Sequence, residues 1–562
     1  MKLASAFTAL AAVASVTAVA SVNAASLLNC PSSPVSGSSA NDYDSGSSSS
    51  SLADLGVVKP TSSCADLTSV DMISIGGEDS SITSAEESTS GNISYCVVNG
   101  KLNTNITYTV MLPTETWTQR FLMSGCGGLC GMNSISRGSP DSTGHFVVAG
   151  NDMAGGTDGS FGLIRDRRVN FAYRANHWVT VAAKKLIKAY YGQEQKYSYF
   201  SGCSDGGREA VMEALRYPED YNGIVAGAPA FIFTMQNSIH HGWLARSNTA
   251  KDGTHPLVGS RLSIVHSAVV AACDKLDGVE DGLLSEPRLC KFDPKSIQCA
   301  ADATNTTACL TEAEVETIAK IYQGPVDEST KQHLTVGEAQ FGSELAWQGV
   351  FVPQSSNGSL MSESSALSAL KYLLFEETPP ANYTINDLEF NLATLEKLAY
   401  RHKLFDAISP DLSAFKLAGG KLILYHGWSD PHISPRGTIA FHEALQKHMG
   451  DDVVDSFERL YLLPGVYHCG DGDGFSTYDF LTPMQQWIES GEKPDAVVVS
   501  TGRGSSVSRS RPLYPYPFVS KYTGSGDINV ATSYTKGEAL YTELTASWAG
   551  ESWFAPYKPA EE

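Results

Sequence analysis

The chain has 562 residues, 42% of them hydrophobic, enough to bury a large core and more than one folded unit. Its 40 basic residues against 61 acidic ones leave a formal charge of −21, with a pI near 5.0. That balance speaks against nucleic acid or an anionic membrane as partner, since either needs a basic face.

Residues 1–24 read as a secretory signal peptide. Lys2 supplies the positive end, Ala4 to Val19 a small-residue apolar run, and Val22-Asn23-Ala24 the small side chains that a signal peptidase requires. No other run is long and apolar enough to span a membrane, so the mature chain is expected to be secreted and soluble. Residues 25–63 form a Ser/Gly-rich leader, and from Pro31 to Ser63 Leu52, Leu55, Val57 and Val58 are nearly the only large apolar residues. Folded sequence is expected to begin near Cys64.

Eleven cysteines behind a signal peptide imply a disulfide framework with one thiol left over. A zinc site is the rival use of cysteine, but the close pair Cys126 and Cys130 has no second pair and no histidine pair nearby. Asn92, Asn105, Asn305, Asn357 and Asn382 each open an Asn-x-Ser/Thr glycosylation sequon.

Strand-like runs cover 93–98, 105–112 and 120–124. Directly after them comes Gly125-Cys126-Gly127-Gly128-Leu129-Cys130-Gly131, whose glycines let backbone N–H groups approach a reacting carbonyl; Gly127 or Gly128 is a candidate oxyanion donor. The apolar residues Trp178, Val181, Ala182, Leu186, Ile187 and Tyr190 recur at helical spacing over 177–191. A short strand over 196–201 then leads into Gly202-Cys203-Ser204-Asp205-Gly206, a Gly-x-Ser-x-Gly elbow that exposes a serine between strand and helix, with the Asp205 N–H as second oxyanion donor. The helix after it runs over 208–217, and 223–228 reads as a buried strand.

From about 231 to 407 the alternation of strand and helix stops. The expected account is a lid inserted over the carboxyl ends of the strands, with a capping box at Thr311 and Glu314 opening one of its helices. The sheet resumes at 421–427 and 459–463. Asp430, in the loop past the first of these strands, is the candidate acid, and His468, past the second, the candidate base, with His426 and His432 as rivals. Ser204 would attack an acyl carbon, His468 would carry the proton, and Asp430 would orient the imidazole. Cys203 precedes the serine and Cys469 follows the histidine. If serine and imidazole meet, these cysteines come within disulfide range, and a bridge closing so long a loop is worth roughly 5 kcal/mol in the chain-entropy picture.

The Cys-Ser, Asp, His-Cys arrangement, with Gly223 to Pro229, His426-Gly427-Trp428-Ser429-Asp430 and the run Arg511 to Pro517, resembles the tannase and feruloyl esterase family from about Cys64 to Thr535. The resemblance implies an α/β fold with an α/β-hydrolase catalytic domain (64–230 and 408–562), a lid domain (231–407), and hydrolysis of phenolic acid esters. It also implies a structural calcium ion, Ca2+, in the lid, held by Asp274, Asp277 and Asp281 with the carbonyls of Val279 and Leu283; no cofactor is implied for catalysis. The donors are hard oxygens, and the loop is not an EF-hand. Family pairings match Cys273 with Cys290, Cys299 with Cys309, and Cys64 with Cys96. The family's C-terminal disulfide is missing here, and Cys30, Cys126 and Cys130 compete for one further bridge. The expected activity is that of a feruloyl esterase on plant cell-wall esters. A tannase is the alternative, a lipase a further one, and a non-catalytic binding protein on the same scaffold the rival from another class.

Overall fold

The computed structural model describes residues 52–103, 105–133, 135, 144–502 and 506–562. The expected signal peptide, most of the leader, and Cys30 lie outside the described residues. The strands β1 (Ser81–Ser90), β2 (Ile93–Leu102), β3 (Ile106–Pro113), β4 (Arg120–Ser124), β5 (Phe146–Asn151), β6 (Tyr197–Cys203), β7 (Gly223–Gly227), β8 (Lys421–Gly427) and β9 (Glu458–Leu463) form one sheet in the order β1-β2-β3-β5-β4-β6-β7-β8-β9. From β5 across to β9 every pairing is parallel, while β1, β2, β3 and β5 pair antiparallel.

Successive side chains on the parallel strands enter two different cores, as the two-residue period of a strand buried on both faces demands. Phe121, Met123, Phe200, Ile224, Ala226, Leu422, Leu424 and Leu460 share one cluster. Their neighbours Leu122, Tyr199, Val225, Ile423 and Tyr461 belong to another. Helices α1 (Ala175–Tyr191), α2 (Asp205–Arg216) and α3 (Pro435–Met449) cover the first face through Val179, Leu186, Val211, Ile439 and Phe441. Helix α4 (Leu481–Ser490) covers the other through Met484 and Trp487. This is the doubly covered sheet of an α/β-hydrolase.

Two expectations change. Folded structure begins earlier than Cys64: Arg120 donates to the Ala53 carbonyl at 3.0 Å, and the N–H groups of Val58 and Thr61 donate to Trp117 and Tyr190 at 3.0 and 2.8 Å. Side-chain composition carries no sign of these main-chain bonds. Nor does the insertion between β7 and β8 pack as one unit. Residues such as Leu244, Val265, Ile318, Trp347 and Val352 build a core of their own, whereas Leu370, Leu398, Phe405 and Phe415 join the core on the helical face of the sheet. The capping box is present, with Thr311 N–H donating to Glu314 at 2.7 Å. Strand β1 is an edge strand, polar and largely exposed, with Glu86 and Glu87 pointing to solvent.

Four disulfides join the expected pairs, Cys64–Cys96, Cys203–Cys469, Cys273–Cys290 and Cys299–Cys309, and a fifth joins Cys126 to Cys130. Among the sequons, Asn92, Asn305, Asn357 and Asn382 are exposed and Asn105 is half-buried. No helix among the described residues is long and apolar enough to cross a membrane.

Candidate active site

Ser204 stands between the end of β6 and the first turn of α2 with φ 66° and ψ −123°. A non-glycine residue in that region stores about 1–3 kcal/mol of strain, and the surroundings hold it there. Its N–H donates to the Gly227 carbonyl at 3.0 Å, and its carbonyl accepts from Arg208 at 3.1 Å and Ala230 at 2.9 Å. The flanking glycines are required by close approach: a Cβ on Gly202 would lie 2.4 Å from the Gly206 oxygen, and one on Gly206 would lie 2.8 Å from the Cys126 oxygen.

Asp430 follows β8 and His468 follows β9. His468 Nδ1 lies 2.7 Å from Asp430 Oδ2, and since a carboxylate only accepts, Nδ1 carries the hydrogen, which in the neutral ring leaves the lone pair on Nε2. Asp430 is fully buried. Its Oδ1 accepts the N–H groups of His432 and Ile433 at 2.8 and 3.1 Å. Burial by itself would push this carboxyl up. The charge of His468 and the hydrogen bonds from His426 and His468 outweigh that and hold it well below the usual carboxylate range.

The two rival histidines occupy other places. His426 is wholly buried, with Nε2 3.1 Å from both Asp430 Oδ2 and the Ile433 carbonyl and Nδ1 2.7 Å from the Thr438 hydroxyl. Both of its nitrogens are engaged, so it steadies the acid and has no nitrogen to offer a serine. His432 lies with its ring centroid 4.6 Å from that of His468. Burial, helped by the nearby His468 charge, pushes its pKa down to about 3 and keeps it neutral.

The Cys203–Cys469 bridge, with Cα atoms 5.9 Å apart, fastens the residue before Ser204 to the residue after His468. Cys469 shares the left-handed backbone of Ser204, at φ 60°. No hydrogen bond joins Ser204 Oγ to His468 here; such bonds are often long before substrate arrives and tighten in the complex. Asp205 is the first residue of α2, so its N–H has no helical acceptor, and its carboxylate is fixed by a two-point pair with Arg208 at 2.6 and 3.0 Å. The loop bearing Gly127 and Gly128 packs against the same turn: a Cβ on Gly125 would lie 2.8 Å from the Gly206 Cα.

The sequence offered no signal for the residues behind the acid loop. His240 and Gln236, both from the insertion, approach the His432 carbonyl at 3.1 and 3.4 Å, and His240 pairs with Glu338. Nothing in their spacing relates them to Asp430.

The acidic turn over 274–283 folds back on itself inside the Cys273–Cys290 loop. Asp274 accepts from the N–H groups of Asp281 and Gly282 at 3.2 and 3.0 Å, and Asp277 from those of Val279 and Ser285 at 3.1 and 2.9 Å. Gly278 and Gly282, at φ 91° and 81°, make the reversals. Asp281 also faces Arg511 at 2.5 Å and Arg509 at 2.9 Å. Burial, with the Asp281 charge adding to it, pushes the Asp277 carboxyl up. The donors are oxygens, the kind a hard cation takes, and two arginines already balance the Asp281 carboxylate.

The sequence matches the model of the tannase and feruloyl esterase family over residues 90–536. It is 31% identical over 498 residues to mono(2-hydroxyethyl) terephthalate hydrolase of Piscinibacter sakaiensis, spanning 76% of this chain and 81% of that protein. A probable feruloyl esterase of Arthroderma benhamiae is 32% identical over 481 residues, spanning 79% and 85%. The crystal structure of feruloyl esterase B from Aspergillus oryzae matches with TM-score 0.74 at 25% identity, covering 84% of this chain and 100% of that one. Tannin acyl hydrolase from Aspergillus niger shares the fold, with TM-score 0.65 at 20% identity over 85% and 92% of the chains. On this agreement of sequence and fold, the chain belongs to the tannase and feruloyl esterase family and is a carboxylic ester hydrolase.

Proposed function

We propose that this protein is a secreted serine esterase that cleaves esters of phenolic acids, hydroxycinnamates such as ferulate foremost, through an acyl-enzyme. The reading is supported above all by the gathering of Ser204, His468 and Asp430 at the carboxyl ends of their strands, beside a disulfide that ties two of them together. His468 Nε2 takes the Ser204 proton as Oγ bonds to the ester carbonyl carbon. The oxyanion so formed receives N–H groups from Asp205 and from Gly127 or Gly128. Collapse expels the alcohol, which leaves with the proton held by His468. Water then enters, gives its proton to the same nitrogen, and releases the acid and the serine hydroxyl. Asp430 stays ionised throughout and holds the imidazole in its working tautomer.

Ferulate is preferred over gallate because relatives named as feruloyl esterases match at 30% identity or more, whereas the tannin acyl hydrolase match is one of fold. Turnover of methyl ferulate against methyl gallate tests this: a clear gallate preference would make the protein a tannase. A fluorophosphonate probe that leaves Ser204 unlabelled in oxidised protein would favour the non-catalytic scaffold. Residues 1–24 would direct export, and the exposed sequons would carry glycans in a eukaryotic host. Asp274, Asp277, Asp281 and the carbonyls of Val279 and Leu283 would hold a structural calcium ion that cross-links the acidic turn.

A further inference from the structure

Glu209 lies one turn beyond Asp205 on α2 and is 1% exposed. Its Oε2 accepts the Cys126 N–H at 3.2 Å and the Asn176 side-chain amide at 2.9 Å. Its Oε1 lies 2.9 Å from Cys126 Sγ and 3.5 Å from Cys130 Sγ. Those sulfurs are bonded to each other, so neither has a hydrogen to give. An ionised oxygen pressed against sulfur lone pairs is repelled, whereas the same oxygen bearing a proton turns the contact into an O–H···S hydrogen bond. Arg208, the nearest cation on the helix, is taken up by Asp205 and by the carbonyls of Ala172 and Phe171.

We propose that Glu209, as a neutral carboxylic acid, is a positioning residue that holds the Gly125–Cys130 loop, and with it the oxyanion donor, against the nucleophile helix. This rests on the reading of Gly127 or Gly128 as that donor. The loop's other backbone bonds run from Gly125 to Ser201, from Cys130 back to Gly127, and from the Gly156 N–H to the Leu129 carbonyl. Cys126 N–H to Glu209 is the bond that ties its middle to α2, immediately before Gly127. Asn176 in turn is fixed by Asn151 at 2.6 Å, so β5, α1, α2 and the loop meet at this one carboxyl.

The charged and titratable groups around it favour the proton. Burial, then the Asp205 charge, pushes the Glu209 carboxyl up to about 8, against the pull of Asn176, Arg208 and the Cys126 N–H. Glu213 on the same helix and the buried Tyr221 hydroxyl offer no compensating cation, and the bridged cysteines do not titrate. Above about pH 8 a charge forms against the sulfurs and Asp205, and the loop loosens.

The full-length, disulfide-intact enzyme is assayed on p-nitrophenyl acetate across pH, with Glu209→Gln, Glu209→Ala and Ser204→Ala alongside, each checked for native near-ultraviolet circular dichroism. Wild type should lose kcat above about pH 8. Glu209→Gln, neutral at every pH and able to keep both the acceptor and the sulfur contact, should stay within about threefold of wild type at pH 6 and show no alkaline loss. Glu209→Ala should lower kcat about tenfold to hundredfold with KM little changed, as expected for a displaced oxyanion donor. An infrared band of a protonated carboxyl near neutral pH should vanish in Glu209→Gln. An unaltered alkaline limb in Glu209→Gln, a flat wild-type profile, or full kcat in Glu209→Ala overturns the proposal. If Ser204→Ala hydrolyses as fast as wild type, the catalytic reading fails and takes this one with it; if Ser204→Ala is inert and the Glu209 variants match wild type, only the role of Glu209 is lost.

Discussion

Replacing Cys203 and Cys469 together with alanine removes the fastening between nucleophile and base while leaving every other side chain in place. The bridge spans 266 residues, for which the chain-entropy relation gives about 5.5 kcal/mol at 25 °C. Native bridges deliver about 2–5 kcal/mol when removed, so a loss of about 4 kcal/mol is expected. With an unfolding entropy of about 2.1 cal/mol/K per residue over about 500 folded residues, that lowers Tm by about 4 °C. The effect on chemistry should exceed the effect on folding. A displacement of about 1 Å between reacting groups costs about a hundredfold, so kcat should fall by about that much at a temperature where the variant is fully folded. Calorimetry gives Tm, and ester turnover at 25 °C gives kcat. An unchanged Tm with full kcat would refute the argument that this bond holds the two residues in register.

Ser204→Ala should abolish fluorophosphonate labelling and lower kcat by about 10⁴-fold or more. Asp430→Asn should cost about 10⁴-fold in kcat by releasing the imidazole tautomer, with the fold retained. Chelation of divalent cations should lower Tm, with calcium but not magnesium restoring it, and Asp277→Ala should erase the response. His432 carries a prediction in pH. Its native pKa is pushed down to about 3 while the unfolded chain takes up a proton near 6.5, so stability from this group is complete above about pH 6.5 and is lost at up to about 1.4 kcal/mol per pH unit as pH falls toward 3. Urea unfolding of His432→Gln between about pH 4.5 and 6.5 should show a shallower decline than wild type.

The parts of the fold that could be read from sequence are those where one local rule decides. The elbow needs glycine on both sides of Ser204, and β4, β6, β7, β8 and β9 announce themselves as short apolar runs bounded by turn residues. Strand β1 was not legible because Ser, Thr and Glu dominate it, and it is held by main-chain pairing to β2 with only Ala85 buried. Strand β5 is Phe146–Asn151, fully buried, but a single short apolar run after a glycine is equally a loop packing inward. In the site, the order serine, acid, histidine could be followed along the chain, since each follows a strand. What His240, Gln236 and Glu209 do could not, because their partners are hundreds of residues away or lie on another helix, and no spacing encodes that.

The outermost strand has a consequence for how the protein behaves at high concentration. An unpaired strand margin is a template on which a second molecule can add its own strand. Ser81–Ser90 presents Glu86 and Glu87 along that margin, and the hairpin that follows carries the exposed Asn92 at its tip. Two copies meeting there would bring carboxylates together and, where Asn92 bears a glycan, would have to displace it. The sheet is thereby closed to growth on this side, and a concentrated solution should stay free of sheet-to-sheet polymers.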